Sequence, residues 1–403
     1  MSPSPETPGP PTGRHQRLFR IGDVGTAVAE IRTLLSMIGL LGEGDASPQE
    51  DAASTFDAAT DRAVRAFQQH RGLSVDGIVG PETYRALDEA RWRLGDRLLT
   101  HVPGSPLTGD DVLTLQQRLL DLGFHVGRAD GIFGHQTEQG VRDFQRNIGV
   151  PADGTCGPAT LKALARLAPR VQGGRPNALR TEEQIRLAGP GLPGKVVIID
   201  AAETRLADPE LAARATEISE DLARRVEGRL AATGVQAFLT HQAGTDPAPS
   251  EAERAEFANR TGANLCVSLH VDASSHPEAS GVSSYYYGLD ARGVRSSGGE
   301  RFASLVQREI VARTGLVDLR THPKTWDLLR RTRMPAVRID VGYITNAGDA
   351  ARLADPAFRD VLAEAVVVAV QRVYLSPETD TKTGVLRFSE LRRALREEPG
   401  PPS

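Results

Sequence analysis

Residues 195–203 read Lys-Val-Val-Ile-Ile-Asp-Ala-Ala-Glu. A continuous apolar run of this kind predicts a strand buried on both faces, the situation of strands in a largely parallel sheet. Beyond it the pattern alternates: a helical stretch from about Pro209 to Ala232, VQAFLTH at 235–241, a helix from Ser250, NLCVSLHV at 264–271 and VSSYYYG at 282–288. A long helix from Gly298 to Thr314, the strand AVRIDVGYIT at 336–345 and a last helix from Pro356 to Leu375 complete the series. Strand and helix in alternation predict an α/β domain with a mostly parallel sheet over 195–375.

Upstream, 171–194 is rich in Gly and Pro without a long apolar period and reads as a linker. Before it lies a duplication. Val64–Leu87 matches Val141–Leu164 at 12 of 24 positions, at a constant offset of 77 residues, where chance at about 7% per position would give about two. Each copy reads as three short helices. The first has apolar residues at helical spacing, the second carries VRAFQ or VRDFQ, and a D-G turn leads to G-P-x-T with Pro at a first helical position. Small all-α bundles are expected at 18–93 and 108–170, joined by a linker at 94–107 and built around Phe67 and Phe144.

Of the 403 residues, 48 are Lys or Arg and 52 Asp or Glu, a net charge of −4 that provides no basic field for nucleic acid. The two cysteines, Cys156 and Cys266, lack metal-ligand spacing, and a reduced compartment is the simplest expectation. Residues 1–17 form a Pro/Ser-rich stretch, expected to be a disordered tail without the apolar core of a secretory signal. The run VLAEAVVVAV at 361–370 is too short to span a bilayer and contains Glu364. A cytoplasmic protein without a transmembrane segment is the expectation.

The signature A-V-R-x-F-Q with D-G-x-x-G-P-x-T resembles the peptidoglycan-binding domain that accompanies bacterial wall hydrolases. That likeness makes Phe67, Gln68, Phe144 and Gln145 binding candidates; the alternative is that they only build the bundle. The third domain resembles the zinc-dependent N-acetylmuramoyl-L-alanine amidases. VVIIDAAE stands for V-x-I-D-P-G-H, SLHVDA for S-x-H-x-N-A, and MPAVRIDVGYITN for M-P-A-V-x-V-E-x-G-F-x-S-N.

The resemblance implies a zinc held by two His and a Glu, with a further Glu as general base. Here Glu203 occupies the first His position, the Glu ligand position falls near Ala215 with Glu217 the nearest carboxylate, and only His270 remains. Glu203, Glu217 and His270 are thus a degenerate metal set. Asp340 stands at the base position, one methylene short, and a displacement of about an ångström can cost about a hundredfold in rate. The expectation is a fold without a cofactor, zinc being retained only if the chain is active.

Two stretches leave readings open. THPKTWDLLRRTR at 321–333 either grips an anionic precursor or acidic partner, or forms a solvated Arg face on a short helix with Trp326 half buried. The tail 376–403 carries Thr379, Thr381 and Thr383 ahead of an amphipathic stretch, and reads either as a phosphorylation switch or as a frayed end.

The whole arrangement is similar to an actinobacterial member of the amidase family. This implies a catalytically inactive cytoplasmic regulator of peptidoglycan precursor synthesis, with a Ser/Thr kinase and the UDP-N-acetylglucosamine enolpyruvyl transferase as partners. An active amidase cleaving the bond between muramic acid and L-alanine, and a scaffold binding peptidoglycan precursor or fragments, remain the alternatives.

Overall fold

The structure, a computed structural model, describes residues 18–42, 54–167, 182, 183, 185, 187–204, 206, 208–242, 244 and 248–375. Thr379, Thr381, Thr383 and both tails lie outside the described residues. The chain divides into two compact units. One is drawn from Met1–Arg118 and Gly131–Leu167, the other from Leu119–Asp130 and Ala168–Ser403.

The first unit holds the duplication as six helices: α1 (Thr26–Met37), α2 (Ala58–Arg71), α3 (Pro81–Ala90), α4 (Asp110–Asp121, its last turn counted with the second unit), α5 (His135–Ile148) and α6 (Pro158–Arg166). Pro81 and Pro158 sit in the first turns of α3 and α6, where a missing N–H is harmless. Gly72 and Gly149 end α2 and α5 in the left-handed conformation that stops a helix without a Cβ penalty. In the first copy Val28, Ile31, Leu35, Phe56, Val64, Phe67 and Leu87 form one core. Each copy is closed by a short antiparallel bridge, Phe19 with Val79 and Leu99 with Cys156.

The second unit is the α/β domain. Its strands are β1 (Val196–Ala201), β2 (Gln236–Leu239), β3 (Leu265–Asp272), β4 (Val282–Leu289), β5 (Val294–Arg295), β6 (Asp318–Lys324) and β7 (Ala336–Tyr343). They form one sheet in the order β2-β1-β3-β7-β4-β5, with β6 beside β4. β2, β1, β3 and β7 are mutually parallel, as is β6 to β4; β4 runs antiparallel to β7 and to β5, so the sheet is mixed. The helices are α7 (Pro209–Ala231), α8 (Glu251–Arg260), α9 (Ser297–Thr314), α10 (Asp327–Arg331), α11 (Ala347–Ala354) and α12 (Pro356–Val373).

β1 and β3 are buried almost end to end, as their unbroken apolar runs predict. α12 packs against α7 and α9 and is buried on most of its circumference, which accounts for the apolar run at 361–370. No helix among the described residues is long and apolar enough to cross a membrane. Within this core the fully buried Arg372 pairs with Glu309, which also takes Arg313 at 3.1 Å.

The stretch 321–333 carries the expected short helix, α10, but not the solvated Arg face with a half-buried Trp326. Its first part belongs to strand β6, where Pro323 is tolerated because, among the described residues, β6 pairs only with β4. Trp326 is buried, not half exposed, at 7%. It is covered by cations, the Arg338 guanidinium 4.4 Å and the Lys324 ammonium 5.5 Å from its ring centre.

Candidate active site around His270, Arg338 and Asp340

The parallel strands β1, β3 and β7 lie side by side, and ligand sites in open α/β sheets form beyond the carboxyl ends of such strands. Register brings the side chains together here. His270 of β3 pairs across the ladder with Asp340 of β7, and on the other side of β7 Ser283 pairs with Asp340 and Tyr285 with Arg338. Arg338 and Asp340 are two apart on one strand and therefore face the same side.

The contacts are short, and the His270–Asp340 pair is buried. His270 Nδ1 is 3.0 Å from Asp340 Oδ1, Arg338 donates from Nε to Asp340 Oδ1 at 2.9 Å, and Arg338 Nη2 lies 2.8 Å from His270 Nδ1. Thr204 resolves the proton arrangement. Its hydroxyl donates to the carbonyl of Val271 at 2.6 Å and stands 3.3 Å from His270 Nε2. With its single proton committed, that hydroxyl can only accept, so Nε2 carries the ring proton. Nδ1 then lies between the Arg338 guanidinium and the Asp340 carboxylate, accepting from Arg338 when the ring is neutral and donating to Asp340 when the ring carries a second proton.

Electrostatics follow from this geometry. Burial by itself would raise the Asp340 carboxyl, but the charge of Arg338 and the contacts with His270 outweigh it and hold the group at about 2. Burial opposes the Arg338 charge as well, and Asp340 more than compensates, so the guanidinium is held above its usual range. Asp272 moves the other way: burial and the charge of Asp340 raise its carboxyl. Tyr343 is pushed up to about 12 by burial and the charges of Asp272 and Asp340, while burial lowers Lys324.

The expected metal set does not assemble. Glu203 and Glu217 are both exposed, and the acids that reach ligand distance of His270 are Asp272 and Asp340. Ala215, at the predicted Glu position, is buried without a polar atom to offer. The reason lies in Thr204: it fills the space at His270 Nε2 and leaves its neighbour Glu203 in solvent. His270, Asp272 and Asp340 do bring their ligand atoms within 4.8 Å of one another. Two of those three already serve the Arg338 guanidinium, so a dication would have to displace a buried cation or sit against it. The residues do not fit a zinc ion.

Asp200, the acid that closes the opening strand, is a structural anchor. Fully buried, it accepts from Arg254 Nη1 at 2.7 Å, Ser268 Oγ at 2.7 Å and Thr240 Oγ1 at 2.6 Å.

In the helical unit, Phe67, Gln68, Phe144 and Gln145 are at most 1% exposed. Gln68 donates to Asp76 Oδ1, Ile78 O and Thr83 Oγ1 and accepts from the N–H groups of Asp76 and Gly77. Gln145 repeats the pattern with Asp153, Thr155, Thr160 and Gly154. These side chains pin the D-G turn to the second helix and present no surface to a ligand.

Comparison with known proteins agrees with this architecture. Residues 199–372 match the N-acetylmuramoyl-L-alanine amidase family, and 24–87 and 108–164 match the peptidoglycan binding domain. The N-acetylmuramoyl-L-alanine amidase CwlM of Mycobacterium tuberculosis is 50% identical over 383 residues, which cover 93% of each chain. The chain belongs to the N-acetylmuramoyl-L-alanine amidase family. The amidase LytC of Bacillus subtilis is 28% identical over 150 residues, 37% of this chain and 29% of that one. Among solved structures, the catalytic domain of CwlV from Bacillus (Paenibacillus) polymyxa var. colistinus is 26% identical, covers 44% of this chain and 97% of that one, and gives a TM-score of 0.39.

Within the amidase family pattern, Arg338 stands at the variable position two residues before the general base. Sequence reasoning passed over it for that reason. The signal was available: an Arg and an Asp at i and i+2 in an otherwise apolar strand share a face and require a common partner. Thr204, Asp272 and Tyr285 were missed with less to find them by.

Proposed function

We propose that this amidase-family chain is a non-catalytic regulator of peptidoglycan precursor synthesis. One observation carries the reading: the guanidinium of Arg338 bridges His270 Nδ1 and Asp340 Oδ1. A general base works best with a pKa near the operating pH, and Asp340 at about 2 lies about five units below neutrality. Its proton affinity is consumed by the ion pair.

The regulatory part rests on likeness to the actinobacterial relative. A Ser/Thr kinase acts on the tail at Thr379, Thr381 or Thr383, and the modified chain acts on the UDP-N-acetylglucosamine enolpyruvyl transferase in the cytoplasm. Peptidoglycan precursor or its fragments are the ligand class of the repeats.

The test is turnover of a muropeptide carrying the muramic acid to L-alanine amide by the full chain, with and without zinc. No cleavage is expected in either case. Cleavage that disappears in His270→Ala overturns the non-catalytic reading in favour of an active amidase. The regulatory part is tested by assaying the transferase with the kinase-treated chain; unchanged turnover overturns it.

A further inference from the structure

Outside the α/β domain, in the second helical repeat, three further side chains meet. His135 opens α5 and Glu138 lies three residues on, so both occupy one face of the first turn. His101 arrives from the segment just past the bridge of Leu99 with Cys156. His101 Nδ1 is 3.1 Å and His135 Nδ1 3.6 Å from Glu138 Oε2, and the ligand atoms of all three lie within 4.8 Å of one another.

We propose that His101, His135 and Glu138 form a binding site for one divalent transition-metal ion of the zinc class. Four ligands about 2.0–2.1 Å from a tetrahedral ion are about 3.3 Å apart, and the two separations from Glu138 bracket that spacing. Two imidazoles and one carboxylate suit zinc and its neighbours rather than calcium or magnesium, which take oxygen ligands. His135 is 78% exposed, so the ion has an entry path and water can complete its shell. Glu138 is already oriented: Arg142 donates to its other oxygen, Oε1, at 2.7 Å, the kind of outer contact that aims a metal ligand.

The duplication serves as an internal control. At the offset of 77 residues, Asp61 and Arg65 stand where repeat two has Glu138 and Arg142, and they form the same ion pair at 2.9 Å. That pair is therefore part of the shared fold. The position of His135 is Ala58 in repeat one, and two residues past the bridging Phe19 stands Ile21 where repeat two has His101. Both imidazoles and the longer acid are additions of repeat two alone, and the bundle folds without them in repeat one. A metal here would tie the segment carrying His101 to the start of α5.

The experiment is calorimetric titration of the full chain with zinc chloride, with thermal denaturation alongside. One ion per chain and a higher melting temperature with zinc are expected in the wild type and in His270→Ala. Binding about tenfold weaker or lost is expected in His135→Ala and in Glu138→Gln. His135→Ala installs the residue that repeat one carries on an exposed turn, so folding should survive. Absence of zinc uptake, uptake unchanged by His135→Ala, or uptake lost only in His270→Ala overturns the proposal. The His270→Ala arm also separates this site from the one in the α/β domain, whose reading it does not depend on.

Discussion

Arg338 donates from Nε to Asp340 Oδ1 at 2.9 Å, two residues along the same strand; Asp340 is buried beside His270, and Arg338, largely buried, lies against the Trp326 ring. Neither charge is tolerable alone there. Removing one partner of a buried pair leaves the other uncompensated, which costs about 3–5 kcal/mol. Arg338→Leu is therefore expected to destabilise the α/β domain by about that amount in urea denaturation. Arg338→Leu combined with Asp340→Leu should recover a large part of the loss, and a double variant no more stable than the single one would show that the pair is not coupled.

Acid should act through two neighbouring carboxyls in opposite senses. Asp340 has a folded pKa of about 2, below the 3.8 of an ordinary Asp. Its contribution, about 2 kcal/mol, is thus present above about pH 4 and lost as the pH falls toward 2. Asp272 is raised, so its contribution is present below 3.8 and lost as the pH climbs through its folded value. Asp272→Asn should stabilise the domain at neutral pH, with the gain shrinking on acidification. Denaturation midpoints across the pH range for both Asp→Asn variants check the two slopes.

Gln145 holds the turn at Gly154, accepting its N–H at 2.9 Å while donating to Asp153 and Thr160. Gln145→Leu keeps the volume and removes the acceptor of the buried Gly154 N–H, a loss of about 2 kcal/mol. Gln68→Leu should do the same in repeat one. Both are expected to lower the melting temperature, and a variant that loses muropeptide binding at full stability would instead show a ligand role for the Gln.

Phosphate incorporated by a Ser/Thr kinase should fall on the tail. Replacing Thr379, Thr381 and Thr383 together by Ala is expected to remove most of it by intact-mass measurement, with the folding transition unmoved. Labelling that persists in the triple variant would move the modification elsewhere.

Much of the architecture is legible in local sequence. The apolar runs of β1 and β3, the prolines opening α3 and α6 and the glycines closing α2 and α5 each act within a few residues of themselves. β6 escaped because it is a polar strand containing Pro323, and its partner among the described residues, β4, lies 36–37 residues upstream. The candidate site was legible in part. His270 and Asp340 occupy the family positions, but motif alignment at Glu203 and proximity in sequence at Glu217 do not report which way a side chain faces, and both are exposed.

By itself, then, the sequence determined two copies of a three-helix repeat, an α/β domain, and membership of His270 and Asp340 in one site, because periodicity and turn chemistry are local and duplication is visible as identity; the stretch read as a linker reaches at Leu192 into the core of the α/β domain. The tertiary structure alone decided what fills that site. Strand register sets His270 of β3 against Asp340 of β7, the pleat places Arg338 on the same face, and Thr204 closes the far side of the imidazole. The meeting of His101 with His135 and Glu138 is likewise set by a bridge between distant segments. Contacts of this kind depend on which strands and segments become neighbours, and no local pattern records that.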